Sequence, residues 1–129
     1  MKLKKRVLVV DDDHDVRNIL SRFLLLQGFA VETTENGMEA FEIFTGMYFD
    51  AVLTDFQMPG MDGIKLADQI RKHDPKKLII MMTSNKLMSS QEEELLNYVV
   101  EKPFELNEIY AILQCTLEPK VQNSASSYR

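Results

Sequence analysis

Four short apolar runs of this chain are each followed by polar residues that could take part in chemistry. These residues are Asp11 and Asp12, Asp55, Thr83 and Ser84, and Lys102. The runs before them are rich in β-branched residues, which is typical of buried strands. In an open parallel sheet the carboxyl ends of the strands share one edge, and ligands bind there. We therefore expect these residues, although distant in sequence, to lie close together.

The residue types favour chemistry with a divalent cation and a phosphoryl group. Converging carboxylates repel one another, and they stay ionised when a hard divalent cation neutralises them. Mg²⁺ fits because it takes oxygen ligands, keeps waters and needs only one or two carboxylates plus a phosphate. A lysine and a hydroxyl at the same edge would contact phosphoryl oxygens. With the charge balanced in this way, a carboxylate can act as a nucleophile towards phosphorus.

The elements that must position these residues alternate between strands and helices. The predicted strands are Val7–Val10, Phe29–Thr33, Ala51–Thr54, Leu78–Met82 and Tyr98–Val100. Between them and after the last one, apolar residues recur at helical spacing, beginning with Val16, Ile19, Leu20, Phe23 and Leu24. Asp13 is the expected N-cap of the first helix, and Ser89 with Glu92 fits a capping box for a short fourth helix. Strands that are apolar nearly throughout indicate an α/β fold, with a parallel sheet covered on both faces.

Length and composition indicate a single globular domain. The chain has 129 residues, of which 45% are hydrophobic and 27% are charged, and its formal net charge is −5. Residues 1–118 are predicted to form the domain, and residues 119–129, which lack periodicity, a disordered tail. No apolar run approaches the ~20 residues that span a bilayer, so no membrane association is expected.

Charge and cysteine content narrow the partners and the compartment. The acidic balance favours a protein partner or a bound cation, and no direct contact with nucleic acid is expected. The basic cluster Lys2, Lys4, Lys5 and Arg6 is interpreted as a solvated lead-in to the first strand. The single cysteine, Cys115, excludes an internal disulfide and is compatible with a reducing compartment, so a cytoplasmic location is expected.

Four motifs together give the chain a family resemblance. They are Val-Val-Asp11-Asp12, Asp55-Phe-Gln-Met-Pro59-Gly-Met-Asp62-Gly63, Thr83-Ser84 and Lys102-Pro103-Phe104. In this order and at these spacings the chain resembles the receiver domains of two-component response regulators, over about residues 5–118. The resemblance implies a flavodoxin-like, doubly wound sheet of five parallel strands in the order 2-1-3-4-5, flanked by five helices.

The resemblance also implies a role for each matching residue. Asp55 matches the phospho-acceptor, Asp12 a direct ligand of Mg²⁺, and Asp11 an acid that acts on the metal through water. The backbone carbonyl of Gln57 matches the remaining protein ligand. Lys102, whose bond to Pro103 is cis in the family, matches the lysine that pairs with the phosphoryl group, and Thr83 matches the hydroxyl that moves towards it. The implied partners are a sensor histidine kinase or phosphotransfer protein, which supplies a phosphohistidine, and a downstream protein target.

Under this interpretation the chain is a signalling domain and not a turnover enzyme. It would catalyse its own phosphotransfer and lose the phosphoryl group slowly, because Gln57 and Asn85, at the positions that tune its lifetime, are amides that cannot act as a base. Dimerisation through the last helices stays open.

Two features depart from the family pattern. Receivers commonly carry an aromatic residue three positions before the lysine, where this chain has Val99, and the aromatic Tyr98 lies one position early. A one-residue offset in a strand points a side chain to the opposite face unless a bulge intervenes. The stretch between Thr83 and Lys102 is also short, which predicts a short or irregular fourth helix.

Three other functions each fit part of the pattern. A haloacid-dehalogenase-type phosphotransferase would use Asp11 and Asp13, but Asp15 replaces the usual Thr or Val and no later acidic pair completes the metal site. A calcium loop would need Gly at Val16 and Glu at Arg22. A receiver fold that no longer takes phosphate, and serves only as an interaction module, is the third. Each site residue alone also fits a turn, a helix cap or a surface position, so the prediction depends on their combination.

Overall fold

The computed structural model describes residues 3–84 and 88–117. Strands and helices alternate along the chain without interruption. The strands are β1 (Arg6–Val10), β2 (Ala30–Thr34), β3 (Ala51–Asp55), β4 (Leu78–Thr83) and β5 (Tyr98–Glu101). The helices are α1 (His14–Leu26), α2 (Gly37–Gly46), α3 (Gly63–His73), α4 (Ser90–Glu93) and α5 (Leu106–Leu117). The predicted tail lies outside the described residues.

The five strands form one parallel sheet in the order β2-β1-β3-β4-β5. The predicted fold class and strand order are therefore confirmed. Helices α1 and α5 lie on one face of the sheet and helices α2 and α3 on the other, which is the doubly wound arrangement. Helices α1 and α5 contact each other, and so do α2 and α3. The sheet is consequently buried on both faces.

Two apolar clusters, one on each face, hold these layers together. Alternate residues along each strand point to opposite faces, so Val7 and Val9 belong to one cluster and Leu8 and Val10 to the other. The first cluster includes Leu20 of α1 and further residues of α5. The second is filled from α2 and α3. Burial of large aliphatic side chains on both faces makes the sheet a rigid base for the residues at its edge.

Side chains at the helix N-termini supply the hydrogen bonds that start the helices. Asp13 caps α1, Asn36 caps α2 and Asp62 caps α3, each accepting from backbone N–H groups of the first turn. The predicted capping box of α4 is present, since Ser89 and Glu92 bond reciprocally. Three of the four capping residues are aspartate or asparagine, and each begins a helix that follows the carboxyl end of a strand.

Helix α4 is only four residues long and none of its residues is buried. The predicted short fourth helix is confirmed. The segment that follows α4 is held by a hydrogen-bond network centred on Arg71 of α3, here called the Arg71 network. The guanidinium donates to the carbonyl oxygens of Leu95 and Lys77 at 2.9 and 2.6 Å and to Asn97 Oδ1 at 2.7 Å. Burial lowers the pKa of Arg71, and the negative charge of Asp74 opposes this shift only in part.

The strand bounds differ from the predicted ones by at most one residue. Asp55 and Thr83 are the last residues of β3 and β4 and do not follow them, because Asp55 pairs with Met82 and Thr83 pairs with Glu101. Strand β2 begins at Ala30, one residue late. Among the described residues, none of the helices combines the length and the apolarity that a membrane span needs.

Candidate functional site

Three carboxylates meet at the carboxyl edge of the sheet, as the strand pattern predicts. Asp11 and Asp12 follow β1, Asp55 ends the adjacent β3, and one carboxylate oxygen from each lies within 4.8 Å of the other two. Asp11 is fully buried and Asp55 is 8% exposed, whereas Asp12 is exposed. The site therefore has two buried acids and one that faces solvent.

Lys102 supplies a cation to the two buried acids. Its Nζ donates to Asp11 Oδ2 at 2.9 Å and to Asp55 Oδ1 at 3.1 Å. Its backbone N–H donates to the carbonyl oxygen of Thr83 at 2.8 Å, and the peptide bond to Pro103 is cis. Burial by itself lowers the pKa of a lysine, but the hydrogen bonds and charges of Asp11 and Asp55 outweigh it and raise the pKa of Lys102. Lys102 therefore stays protonated at neutral pH.

Asp55 combines an engaged oxygen with an open one. Oδ1 accepts from Lys102 Nζ and from the backbone N–H of Phe56, the latter at 3.0 Å. Within the described part of the chain, no hydrogen bond reaches Oδ2. Burial and the charge of Asp11 raise the pKa of Asp55 to about 6, although Lys102 and the Phe56 N–H act against the shift. The surroundings of Asp55 therefore disfavour its ionised form, and its Oδ2 has no hydrogen-bond partner among the described residues.

Asp11 and Asp12 differ in how the protein holds them. Asp11 Oδ1 accepts from the backbone N–H of Asp13 at 2.9 Å and Oδ2 accepts from Lys102, so both oxygens are engaged. The backbone N–H of Asp11 donates to the carbonyl oxygen of Thr34 at 3.2 Å. The Asp12 carboxylate makes no hydrogen bond or ion pair within the described residues. Asp12 is therefore free to bind a metal directly, whereas Asp11 would have to exchange a partner or act through water.

The donor set fits Mg²⁺. Three carboxylate oxygens are hard ligands. Oxygens bound to Mg²⁺ at about 2.0–2.1 Å lie about 3–4 Å from one another, which is compatible with three oxygens that all lie within 4.8 Å of one another. Beside the cluster is an open depression of about 500 Å³ lined by Asp12, Gln57, Met58, Pro59 and Asp62. Gln57 therefore lines the same depression as Asp12.

Thr83 is at the same edge but on the other neighbour of β3. It ends β4, one residue beyond the Met82 that pairs with Asp55, and it is 1% exposed. Ser84, which follows, is exposed. The sheet thus brings the predicted hydroxyl, lysine and three acids to one edge. Asn85, predicted to modulate the site, lies outside the described residues.

The register of β5 shows on which face of the sheet Tyr98 and Val99 lie. Tyr98, Val99, Val100 and Glu101 pair in unbroken succession with Ile80 to Thr83, so no bulge is present. Side chains alternate along a strand, and Val99 is therefore on the face of Thr83 whereas Tyr98 is on the opposite face. Tyr98 is 42% exposed and Val99 37%. No aromatic side chain from β5 stands where the family pattern places one.

Two residues that support the site, Arg17 and Gly63, were not among the predicted site residues. Arg17 of α1 donates from Nη1 to the backbone carbonyl oxygen of Asp11 at 2.7 Å. Gly63, the first residue of α3, packs so close to β3 that a Cβ there would clash with the backbone carbonyl oxygen of Asp55. Gly63 could have been singled out as the glycine that ends the Asp55 motif. Arg17 could not, because only the folded β1–α1 turn brings its side chain back to Asp11.

A five-stranded parallel α/β domain with an acidic cluster, a lysine and a hydroxyl at its carboxyl edge is the architecture of a receiver domain. The model of the response regulator receiver domain family matches residues 7–114, and the chain belongs to this family. Regulatory protein AtoC of Escherichia coli (strain K12) is 38% identical over 117 residues, which are 88% of this chain and 25% of AtoC. The DNA-binding transcriptional regulator NtrC of the same strain is 36% identical over 112 residues, 84% of this chain and 24% of NtrC. The chain thus spans about a quarter of the length of these relatives.

A solved structure is similar over nearly the whole domain. The response regulator TrrA of Thermotoga maritima, in complex with Mg²⁺ and BeF, superposes with a TM-score of 0.81 at 33% identity, covering 86% of this chain and 97% of TrrA. TrrA has also been solved in complex with the histidine kinase ThkA, where the TM-score is 0.80, again at 33% identity, over 88% of this chain and 98% of TrrA.

Proposed function

We propose that Asp55 accepts a phosphoryl group from a phosphohistidine and that the phosphorylated domain signals to a protein partner. The observation that carries the proposal is the open Oδ2 of Asp55, in a carboxylate whose other oxygen is 3.1 Å from Lys102 Nζ. The nucleophile is thereby oriented, while the ammonium lies where charge develops on the transferred group. Membership of the receiver family and the Mg²⁺–BeF complex of TrrA support it.

Asp12 and Asp55 would hold Mg²⁺ directly, together with the backbone carbonyl of Gln57, and Asp11 would act through water. The different roles of Asp11 and Asp12 follow from their contacts, because both Asp11 oxygens already accept hydrogen bonds whereas Asp12 has none among the described residues. When bound, Mg²⁺ would supply charge neutralisation to the acids and to the phosphoryl oxygens.

The chain's own groups account for the remaining steps. Asp55 Oδ2 attacks phosphorus in line, so an O–P bond forms as the N–P bond to the donor imidazole breaks, and the imidazole nitrogen leaves with the bonding electron pair. Such transfers are largely dissociative, so the protein contributes mainly positioning and charge. Lys102 moves from the carboxylate to a phosphoryl oxygen, and the Thr83 hydroxyl donates to another. The domain therefore catalyses its own phosphorylation without being a turnover enzyme.

The proposed donor is a sensor histidine kinase or phosphotransfer protein in the cytoplasm. The support is the complex of TrrA with ThkA, whose regulator shares 33% identity with this chain. No direct nucleic-acid contact is proposed for this domain, since its formal charge is −5. NtrC is a DNA-binding regulator, but the chain matches only 24% of its length.

Incubation with acetyl phosphate and Mg²⁺, followed by intact-mass spectrometry, tests the proposal. The full chain is expected to gain one phosphoryl group, and Asp55→Asn none. Asp68→Asn, which changes an aspartate on α3 outside the site, is the matched control and should be phosphorylated as the wild type is. Phosphorylation of Asp55→Asn to the wild-type extent would place the acceptor elsewhere. EDTA should abolish the gain in the wild type and in Asp68→Asn.

A further inference from the structure

The Asp12 carboxylate is positioned by its backbone alone. It is exposed and has no hydrogen bond or ion pair to any described residue, in contrast to Asp11 and Asp55. Its direction consequently depends on the peptide plane that joins Asp11 to Asp12, because the carbonyl of Asp11 and the N–H of Asp12 belong to one rigid unit. Whatever holds that carbonyl fixes the N–Cα bond of Asp12 and so restricts where its carboxylate can lie.

Arg17 holds this carbonyl. Its Nη1 lies 2.7 Å from the Asp11 carbonyl oxygen, in a residue that is 0% exposed. A helical side chain leans towards the N-terminus of its helix, so Arg17, near the start of α1, reaches back over the β1–α1 turn. The turn is closed from the other side by Asp13, whose N–H donates to Asp11 Oδ1 and whose carboxylate caps α1. Without Arg17 a buried carbonyl would lose its partner, and the peptide plane would be free to turn.

We propose that Arg17 is a positioning residue for metal binding, which orients Asp12 through the Asp11 carbonyl. The inference rests on the proposed function, since it assumes that Asp12 binds Mg²⁺ directly. It concerns a residue that touches neither the metal nor the phosphoryl group and acts only through the backbone.

Charge and geometry predict opposite effects for the loss of Arg17, which makes the inference testable. Removal of a positive charge beside a cation site strengthens cation binding if only electrostatics matter. Removal of the group that orients a ligand weakens binding, by about tenfold if the loss matches the lower end found for residues that support metal ligands. The sign of the change therefore identifies the role.

The experiment compares Arg17→Met with Arg22→Met in the full chain, by calorimetric titration with Mg²⁺. Arg22 is exposed on the same helix and makes no hydrogen bond or ion pair among the described residues, so the two variants lose the same charge. We expect Mg²⁺ to bind Arg17→Met about tenfold more weakly than Arg22→Met. The amide resonance of Asp12 in EDTA should shift in Arg17→Met and stay in place in Arg22→Met. Arg17→Gln, too short to reach the carbonyl, serves if the methionine variant does not fold.

The outcomes separate this inference from the proposed function. If Arg17→Met binds Mg²⁺ as tightly as Arg22→Met or more tightly, Arg17 has no positioning role, even if the variant melts at a lower temperature in EDTA. If the wild type binds no Mg²⁺, the proposed metal site itself fails. Weaker binding confined to the Arg17 variants supports the inference.

Discussion

Replacing Asp55 by asparagine is expected to stabilise the metal-free domain, although the same change removes the proposed acceptor. Asn and Asp have nearly the same shape, and an Asn Oδ1 can still accept from the Phe56 N–H. What the substitution removes is a negative charge that is 8% exposed and close to the charge of Asp11. The surroundings of Asp55 destabilise that charge on the whole, because the pKa of Asp55 is raised in spite of Lys102.

The size of the effect follows from the pKa. The pKa of Asp55 rises from 3.8 to about 6, and one unit corresponds to about 1.4 kcal/mol, so ionised Asp55 costs the fold about 3 kcal/mol. Between pH 4 and 6 the folded state binds more protons than the unfolded state, and stability consequently falls as the pH rises through this range. The advantage of Asp55→Asn should thus be near zero at about pH 4 and reach about 2–3 kcal/mol above about pH 7.

Urea unfolding followed by circular dichroism, in EDTA at several pH values, measures this difference. Asp12→Asn is the control, because it removes an exposed charge of the same cluster and should change the unfolding free energy by less than about 0.5 kcal/mol. Mg²⁺ at a hundredfold excess over its dissociation constant should add about 2.7 kcal/mol to the wild type and less to Asp55→Asn. An Asp55→Asn variant that is no more stable than the wild type at pH 7.5 in EDTA would show that Lys102 fully compensates the buried acids.

Two further substitutions test the contacts around the site and its supporting layer. Gly63→Ala places a Cβ against the backbone carbonyl of Asp55 and should lower the free energy of unfolding, measured in urea, by about 2–3 kcal/mol. Gly46→Ala is the control, because its Cβ would meet nothing within 4 Å, and it should change this free energy by less than about 0.5 kcal/mol. Equal effects of the two substitutions would mean that α3 can shift freely. Arg71→Met removes the Arg71 network, so it should lower the free energy of unfolding by about 2–4 kcal/mol and increase amide hydrogen exchange in the segment after α4. Lys72→Met is the control, because it loses only an exposed ion pair, and it should change both quantities little. Unchanged exchange in Arg71→Met would indicate that packing alone holds the segment.

Local patterns were sufficient to predict most of the fold. Apolar strands, helical spacing and caps such as Asp13 and Ser89 depend on neighbours in sequence, and each was found where the pattern placed it. The gathering of Asp11, Asp12 and Asp55 was also predictable, because parallel strands must bring their carboxyl ends to one edge. These predictions required no knowledge of which strands are adjacent.

Contacts that depend on side-chain reach across elements were not predictable. Arg17 and Arg71 are ordinary helix residues in sequence, and both become hydrogen-bond donors to backbone carbonyl groups of other segments only after the helices pack. Predicting the face on which Tyr98 lies requires the register of β5, since a bulge in the strand would place Tyr98 on the other face. The sequence alone left both directions open.

The strand order also explains why a lysine, and not a further short acid or amide, completes the site. Neighbouring strands are about 4.8 Å apart, so Asp11 after β1 and Thr83 on β4 each adjoin Asp55 on β3 directly, and short side chains suffice. Strand β5 is two places, or about 10 Å, from β3. A polar group that follows β5 must therefore have a long side chain, and the Lys102 Nζ reaches Asp55 at 3.1 Å and Asp11 at 2.9 Å. Only the order 2-1-3-4-5, which the apolar pattern does not contain, makes this length a requirement.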